Sequence, residues 1–324
     1  MKNIGGWLRR MAMTAGLAAS CAGAQAAWPE RPIRIIVPYG PGGSDAQIRL
    51  VIPGMQKILG QPFVVENRAG GGATTGTAAV RNSPADGYTL LYTGTAPLTV
   101  APHMRPLGYK LEDFQPIGNV TGTALIVVAR ADAPFTTLAE LIAFAKANPG
   151  KVNFASNGVG TTTHIVGEVL QLSAGIRFTH VPHTGLAQVV TALLNQSSDL
   201  VIGIPGSFMP QIQAGKLRAL ASTGNARSPF VPNVPSLKAD ARLDVIEETK
   251  FGLLAPKGVP PEVTDALAKA LQVSMRDEEF VTRMRNSFIT PHYLNPAEFA
   301  AALEQESRYW QGMFARPEFR SLKD

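Results

Sequence analysis

The sequence predicts an α/β fold of largely parallel sheets with helices on both faces. Three observations point to it. Short strand-like segments alternate with helical patterns, several of those strands are apolar enough to be buried on both faces, and capping signals open the helices between them. At 324 residues, with 45% apolar and 17% charged residues, the chain is long enough for two domains or one large one and has an ordinary globular composition.

The strand-like segments are Ile33–Val37, Phe63–Val65, Tyr88–Tyr92, Ala124–Ala129, Val152–Ala155, Arg177–Val181, Leu200–Ile204, Leu217–Ala221 and Phe251–Ala255. Among the helical patterns, Thr137-Leu-Ala-Glu140 forms a capping box, and Leu138, Leu141, Ile142 and Ala145 follow on one face until Asn148-Pro149-Gly150 stops the helix. Pro260-Pro261 opens a second, with Val263, Ala266, Leu267, Ala270, Leu271 and Met275 along one stripe. Asn295-Pro296 starts a last one carrying Phe299, Leu303, Trp310 and Met313.

Residues 1–26 stand apart from this pattern. Lys2, Arg9 and Arg10 make a basic start, Met11–Ala22 is a short uncharged run, and Ala24-Gln25-Ala26 supplies the small residues of a cleavage site. This is the layout of a removable signal peptide, so export with a mature N-terminus near Ala27 is expected. The run is shorter than the roughly 20 apolar residues a membrane helix needs. Cys21 lies in a loose lipoprotein-box sequence, which leaves lipidation as the alternative. Three of the 30 basic residues and none of the 24 acidic ones fall in residues 1–26, so the mature net charge would be +3 rather than +6. With no basic cluster interleaved with aromatics, nucleic acid is not expected as a partner. Cys21 is the one cysteine, so the mature chain would have neither disulfides nor thiol chemistry.

On sheets of this kind ligands bind beyond the carboxyl ends of strands, where loops lead into helices. The first such loop is Pro38-Tyr39-Gly40-Pro41-Gly42-Gly43-Ser44-Asp45. Its glycines let the backbone approach a ligand, and the free amides of the helix that follows attract an anion. The alternative is a tight turn in which Ser44 or Asp45 serves only as N-cap. The second is Ala155-Ser156-Asn157-Gly158-Val159-Gly160-Thr161-Thr162-Thr163-His164, where hydroxyl and amide groups without a charge suit a carboxylate held by neutral donors. Three further loops are weaker versions of the feature: Tyr92-Thr93-Gly94-Thr95-Ala96-Pro97, Pro182-His183-Thr184-Gly185-Leu186-Ala187, and Gly203–Ser207. The candidate ligand-binding residues are therefore Tyr39, Gly42, Gly43, Ser44, Asp45, Thr93, Gly94, Thr95, Ser156, Thr161, Thr162, His183, Thr184, Gly185, Ala187 and Gly203.

Other chemistry finds little support. Gly40-Pro41-Gly42 begins like a dinucleotide fingerprint, but Asp45 stands where the third glycine belongs, and there is no Walker-type lysine motif. His180 and His183, or His164 and Glu168, are metal-ligand pairs without the third and fourth ligand that zinc needs. No Gly-x-Ser-x-Gly elbow is present. Neither a cofactor nor catalysis is expected.

The sequence resembles the tripartite tricarboxylate transporter solute receptors, the Bug proteins. The stretches that carry the resemblance run through the chain: Trp28–Tyr39, Pro41–Gly43, Gly60–Arg68, Ala85–Leu90, Ser156–His164 with Gly167-Glu168, His180–Pro182, Gly215–Ala221, Asn233–Pro235 and Phe251–Pro256. The resemblance implies a two-lobed periplasmic-binding-protein, or Venus-flytrap, fold. Its first lobe would comprise residues 27–123 plus 249–324 and its second residues 124–248. It also implies a ligand carboxylate held between the first loop and the Ser156–Thr163 loop. The chain would act as a monomer delivering to a membrane permease, or alternatively as a ligand-sensing partner of a two-component system; an exported enzyme of the same fold class is the remaining alternative.

This sequence departs from the family pattern in four places. One residue, Ser44, separates Gly43 from Asp45, Ile202-Gly203 replaces the usual aromatic and acid, His183-Thr184 replaces Tyr-Lys, and Lys250 stands for a Trp. Without an acid at Gly203, the expected ligand has a carboxylate and no ammonium group.

Overall fold

The computed structural model describes residues 28–243, 245 and 248–317. The expected signal segment, with its cleavage site and Cys21, lies outside the described residues. The chain begins with β1 (Ile33–Val37), α1 (Ser44–Leu59), β2 (Phe63–Asn67), α2 (Thr74–Arg81), β3 (Thr89–Gly94), the short helical turns α3 (Ala96–Thr99) and α4 (Ala101–Met104), and β4 (Phe114–Thr123). It then crosses into a second sheet with β5 (Ile126–Arg130), α5 (Leu138–Ala147), β6 (Asn153–Ser156), α6 (Thr162–Ala174), β7 (Thr179–Pro182), α7 (Leu186–Leu194), β8 (Leu200–Gly203), α8 (Pro205–Gln213) and β9 (Leu217–Ser222). It returns through β10 (Thr249–Pro256), α9 (Pro261–Arg276), α10 (Glu278–Asn286), β11 (Pro291–Leu294) and α11 (Pro296–Ala315). The strand orders are β11-β4-β10-β3-β1-β2 and β7-β6-β8-β5-β9.

Both sheets are mixed, which corrects the expectation of largely parallel ones. Strands joined through a helix are parallel, as β1 is with β2 and β3, and β6 with β7 and β8. The strands at the crossovers run the other way: β10 is antiparallel to β3 and β4, and β5 to β8 and β9. A strand that arrives directly from the other sheet has no helix to turn it round, and this reverses its direction.

The expected strands all form. β4 and β11 were not foreseen, because Phe114–Thr123 is broken by Pro116, Gly118 and Gly122 and has no period-two apolar pattern. The helix starts follow their signals. Thr137 caps α5 by accepting from the Glu140 amide at 3.2 Å, although the Glu140 carboxylate reaches the Thr136 amide at 2.6 Å instead of its own cap residue. Asn295 and Glu298 form a reciprocal box at the start of α11. Along α11, Phe299, Leu303 and Trp310 are buried, and the helix packs on β4 of the first sheet.

Candidate ligand-binding site

The loops after β1, β6, β7 and β8 face one another across the gap between the sheets. Gly40 donates its amide to the Thr184 carbonyl at 3.0 Å, which joins the first loop to the loop after β7. Near it, Gly72 adopts φ +67° and lies so close to the Val159 carbonyl that a Cβ there would overlap it. Glycine is needed on both counts, and the cleft is closed.

Inside it lies a cavity of about 20 Å³ for a water centre, room for roughly one water or one small polar group. The first loop contributes Tyr39, Gly40, Gly42, Gly43 and Ser44; the loop after β6 contributes Asn157, Thr162 and Thr163; Leu186 and Ile204 close it from the starts of α7 and α8. The floor is the crossover, with Leu125, Thr249 and Phe251. Every lining residue is uncharged.

Four helices begin at this cavity: α1, α6, α7 and α8. Their N-cap residues, Gly43, Thr161, Gly185 and Ile204, make no side-chain cap. The amides of Asp45, Gln188 and Ser207 turn back on the Gly42, Gly185 and Ile204 carbonyls, and Pro205 brings no amide to α8, but each helix start carries a partial positive charge. Neither Ser44 nor Asp45 is the N-cap of α1. Thr249 adds an unpaired donor: its hydroxyl is buried without a partner and lines the cavity. Its register partner on β4, Thr123, has an equally buried and unpartnered hydroxyl. A polar group buried without a partner costs about 1–3 kcal/mol.

The Ser156–His164 loop is braced from behind. Ser156, fully buried, bonds His180 Nε2 at 2.6 Å and accepts from the Gly158 amide at 3.1 Å. Gly160 donates to His164 Nδ1 at 3.2 Å, and the His164 and His180 rings stack with centroids 4.2 Å apart. Burial pushes both imidazoles down to about 4, with each ring's histidine neighbour adding to the shift, so both are neutral near pH 7. Thr163 takes the Asn157 amide at 3.0 Å, and Thr161 donates to the Gly158 carbonyl at 2.6 Å. In the first loop, Asn67 donates to the Tyr39 carbonyl at 3.0 Å and the Tyr39 hydroxyl bonds Thr93 at 3.2 Å. Burial raises that phenol to about 12, so it stays protonated.

Of the expected site residues, Tyr39, Gly42, Gly43, Ser44 and Thr162 line the cavity, and Ala187 lines a larger chamber outside it. The others are elsewhere. Asp45 is paired with Arg49 at 3.2 Å. Thr93 and Gly94 support Tyr39 from β3, and Thr95 turns away to Glu306 at 2.6 Å. The Ser156 and Thr161 hydroxyls are engaged within the brace. Thr184 bonds Gln188 with its hydroxyl at 3.0 Å, Gly185 packs on Gly40, and His183 and Gly203 do not reach the cavity. Gly203 is small to admit the Phe208 ring, which a Cβ would meet at 2.6 Å. Asn157, Thr163, Leu186 and Ile204 lie inside or beside loops the sequence had marked. Leu125, Thr249 and Phe251 carry no local signal and enter only through the crossover.

A mixed α/β fold whose two lobes close their loops on an uncharged cavity defines a solute-binding protein of the periplasmic type. The chain belongs to the tripartite tricarboxylate transporter family of receptors, whose model matches residues 47–316. It is 34% identical to the BugT protein of Bordetella pertussis over 304 residues, 93% of each chain. Its structure is similar to that of the periplasmic binding protein BugD, with a TM-score of 0.82 and 32% identity over 89% of this chain and 98% of that one. MatC of Rhodopseudomonas palustris, solved with bound malate, gives the same TM-score at 25% identity, covering 88% and 99% of the two chains. A second R. palustris protein, solved with adipate, also gives 0.82 and 25%, covering 89% and 97%.

Proposed function

We propose that this chain is a periplasmic receptor that captures a small organic or aromatic acid between its lobes and passes it on unaltered to a tripartite tricarboxylate permease. One observation carries the reading: four uncapped helix starts, one from the first sheet and three from the second, converge on a cavity with no charged side chain. A carboxylate there meets the positive ends of these helices and the cavity's hydroxyl and amide donors, and a hydrogen bond to a charged group is worth about 1.5–3 kcal/mol. Malate and adipate in the related structures support a carboxylate as the bound group.

The lobe boundaries at residues 123/124 and 248/249 follow the division of strands between the two sheets, and Leu125 and Thr249 sit at the crossovers. Tyr39, Ser44, Asn157, Thr162, Thr163 and Thr249 are the residues assigned to the ligand. Closing brings donors from both lobes to one group, so the ligand selects the closed state. Release without chemical change fits the placing of Ser156: its hydroxyl is fully buried against His180 and does not line the cavity. Export through a cleavable signal peptide belongs to the same reading. The test is calorimetry of the purified receptor with a panel of small acids and their primary amides. At least one acid should bind at micromolar or better affinity and its amide at least 100-fold more weakly. Amides binding as tightly as acids, or conversion of the bound acid, would sink the proposal.

A further inference from the structure

Beside the inner cavity, and sharing Gly42, Gly43, Leu186 and Ile204 with it, lies a chamber of about 600 Å³. That size falls within the range of small-molecule pockets. One wall is apolar surface of the first lobe, Leu50, Phe288 and Ile289; the other is Ala187, Val190 and Pro210 from α7 and α8. Gln47, Ser207, Asn286 and Ser287 supply its polar side chains, and among the described residues no charged one lines it.

We infer that the physiological ligand is a monocarboxylate whose apolar remainder occupies this chamber. The inference rests on the carboxylate reading above and adds the class of acid. Three observations lead to it. The inner cavity, at about 20 Å³, takes one small polar group, so the rest of any larger ligand must leave through the shared wall. Among the described residues no cation lines the space beyond that wall. A second carboxylate placed there would lose water without gaining a charged partner, which is strongly unfavourable. Apolar atoms, by contrast, gain from the move.

The third observation is Phe288. It has φ +57°, in the left-handed region that disfavours a bulky side chain. It follows Ser287, the C-cap of α10, and the Ile289 amide closes back on the Met284 carbonyl at 3.0 Å, a position at which glycine is the usual choice. Here the chain carries a phenyl ring instead, held against Phe230 of the second lobe at 5.8 Å in an edge-on contact. Strain of this kind persists where surrounding structure fixes it, and it clusters at ligand clamps. In this molecule it sets an aromatic wall on the chamber. Because the two walls come from different lobes, the chamber exists only in the closed state, and an apolar tail favours closure just as the carboxylate does.

The experiment is calorimetry with acetate, butanoate and hexanoate, beside succinate and adipate, on the intact receptor and on the Val190→Asn and Leu50→Gln variants. Affinity should rise about fourfold per methylene from acetate to hexanoate, and hexanoate should bind at least tenfold tighter than adipate. Val190→Asn should weaken hexanoate at least tenfold while changing acetate less than twofold, and Leu50→Gln should act in the same sense. Both positions are partly exposed, so melting temperatures should hold, and either variant suffices if the other misfolds. Adipate at or above the affinity of hexanoate, affinity flat with chain length, or a variant that weakens acetate and hexanoate alike would overturn the inference while leaving the carboxylate reading intact. Failure of every acid to bind would overturn both.

Discussion

The four helices that begin at the cleft and three that begin away from it treat their first amides differently. At α5, α10 and α11 a side chain of Thr137, Asp277 or Asn295 takes up a free amide. At α1, α6, α7 and α8 no side chain does so. A missing cap gives up about 1 kcal/mol of stability; α2 and α9 lack one too, but the four at the cleft share one uncharged cavity. The contrast sets helix starts satisfied by their own side chains against helix starts whose positive ends face a shared cavity. What holds the open loops in place is a second tier of bonds behind them, such as the Ser156–His180–His164 group.

That second tier offers the largest effect with which to break the comparison. In the folded chain His164 and His180 are held at about 4, against roughly 6.5 in an unfolded chain. As pH falls, protons therefore bind the unfolded state first, and stability present above pH 6.5 is lost between 6.5 and 4, on the order of 3 kcal/mol for each imidazole. Melting temperature followed from pH 7.5 to 4 should drop steeply in that window, and His180→Gln should flatten the drop. Parallel curves for the two proteins would show that the imidazoles are not the brace.

Keeping the lobes apart should show that donors are needed from both sides. Gly72→Ala sets a methyl against the Val159 carbonyl, so the closed state becomes inaccessible. Ligand affinity should fall at least 100-fold, and small-angle scattering should report an extended molecule with and without ligand. Undiminished affinity would mean that one lobe suffices.

A third variant supplies one open helix start with an acid of its own. Thr162→Asp puts a carboxylate in the first turn of α6, where it is worth about 0.3–1 kcal/mol to the helix. The melting temperature should hold or rise, while affinity for the acid falls tens of fold through like-charge repulsion. Stability lost without any change in binding would place the anion elsewhere.

Thr249→Val removes the buried, unpartnered hydroxyl at the crossover and nearly preserves shape. Affinity should fall about tenfold, the effect of one hydrogen bond, and the ligand-free protein should be as stable as before or more so. A stability loss with unchanged affinity would make this hydroxyl structural. The smallest effect belongs to the other class of helix. Asn295→Ala should lower stability by about 1 kcal/mol, measured by denaturant unfolding, and leave affinity untouched.

By itself the sequence determined the features written in short-range patterns. Nine strands stand where apolar runs predict them, α5 and α11 start at their capping residues, and the glycine-rich and hydroxyl-rich loops open onto the cleft, because propensity, capping and periodicity act within a few residues. Family motifs spread along the chain carried the two-lobed architecture as well. Tertiary structure alone decided what each polar group in those loops faces. Thr161 and Thr162 are neighbours with the same side chain, yet one braces Gly158 and the other lines the cavity. Ser156 is claimed by His180, 24 residues further on. Thr249 meets the first loop only because β10 returns antiparallel into the first sheet. A hydroxyl's direction depends on which partner satisfies it, and partners brought in by a crossover leave no trace in the local sequence.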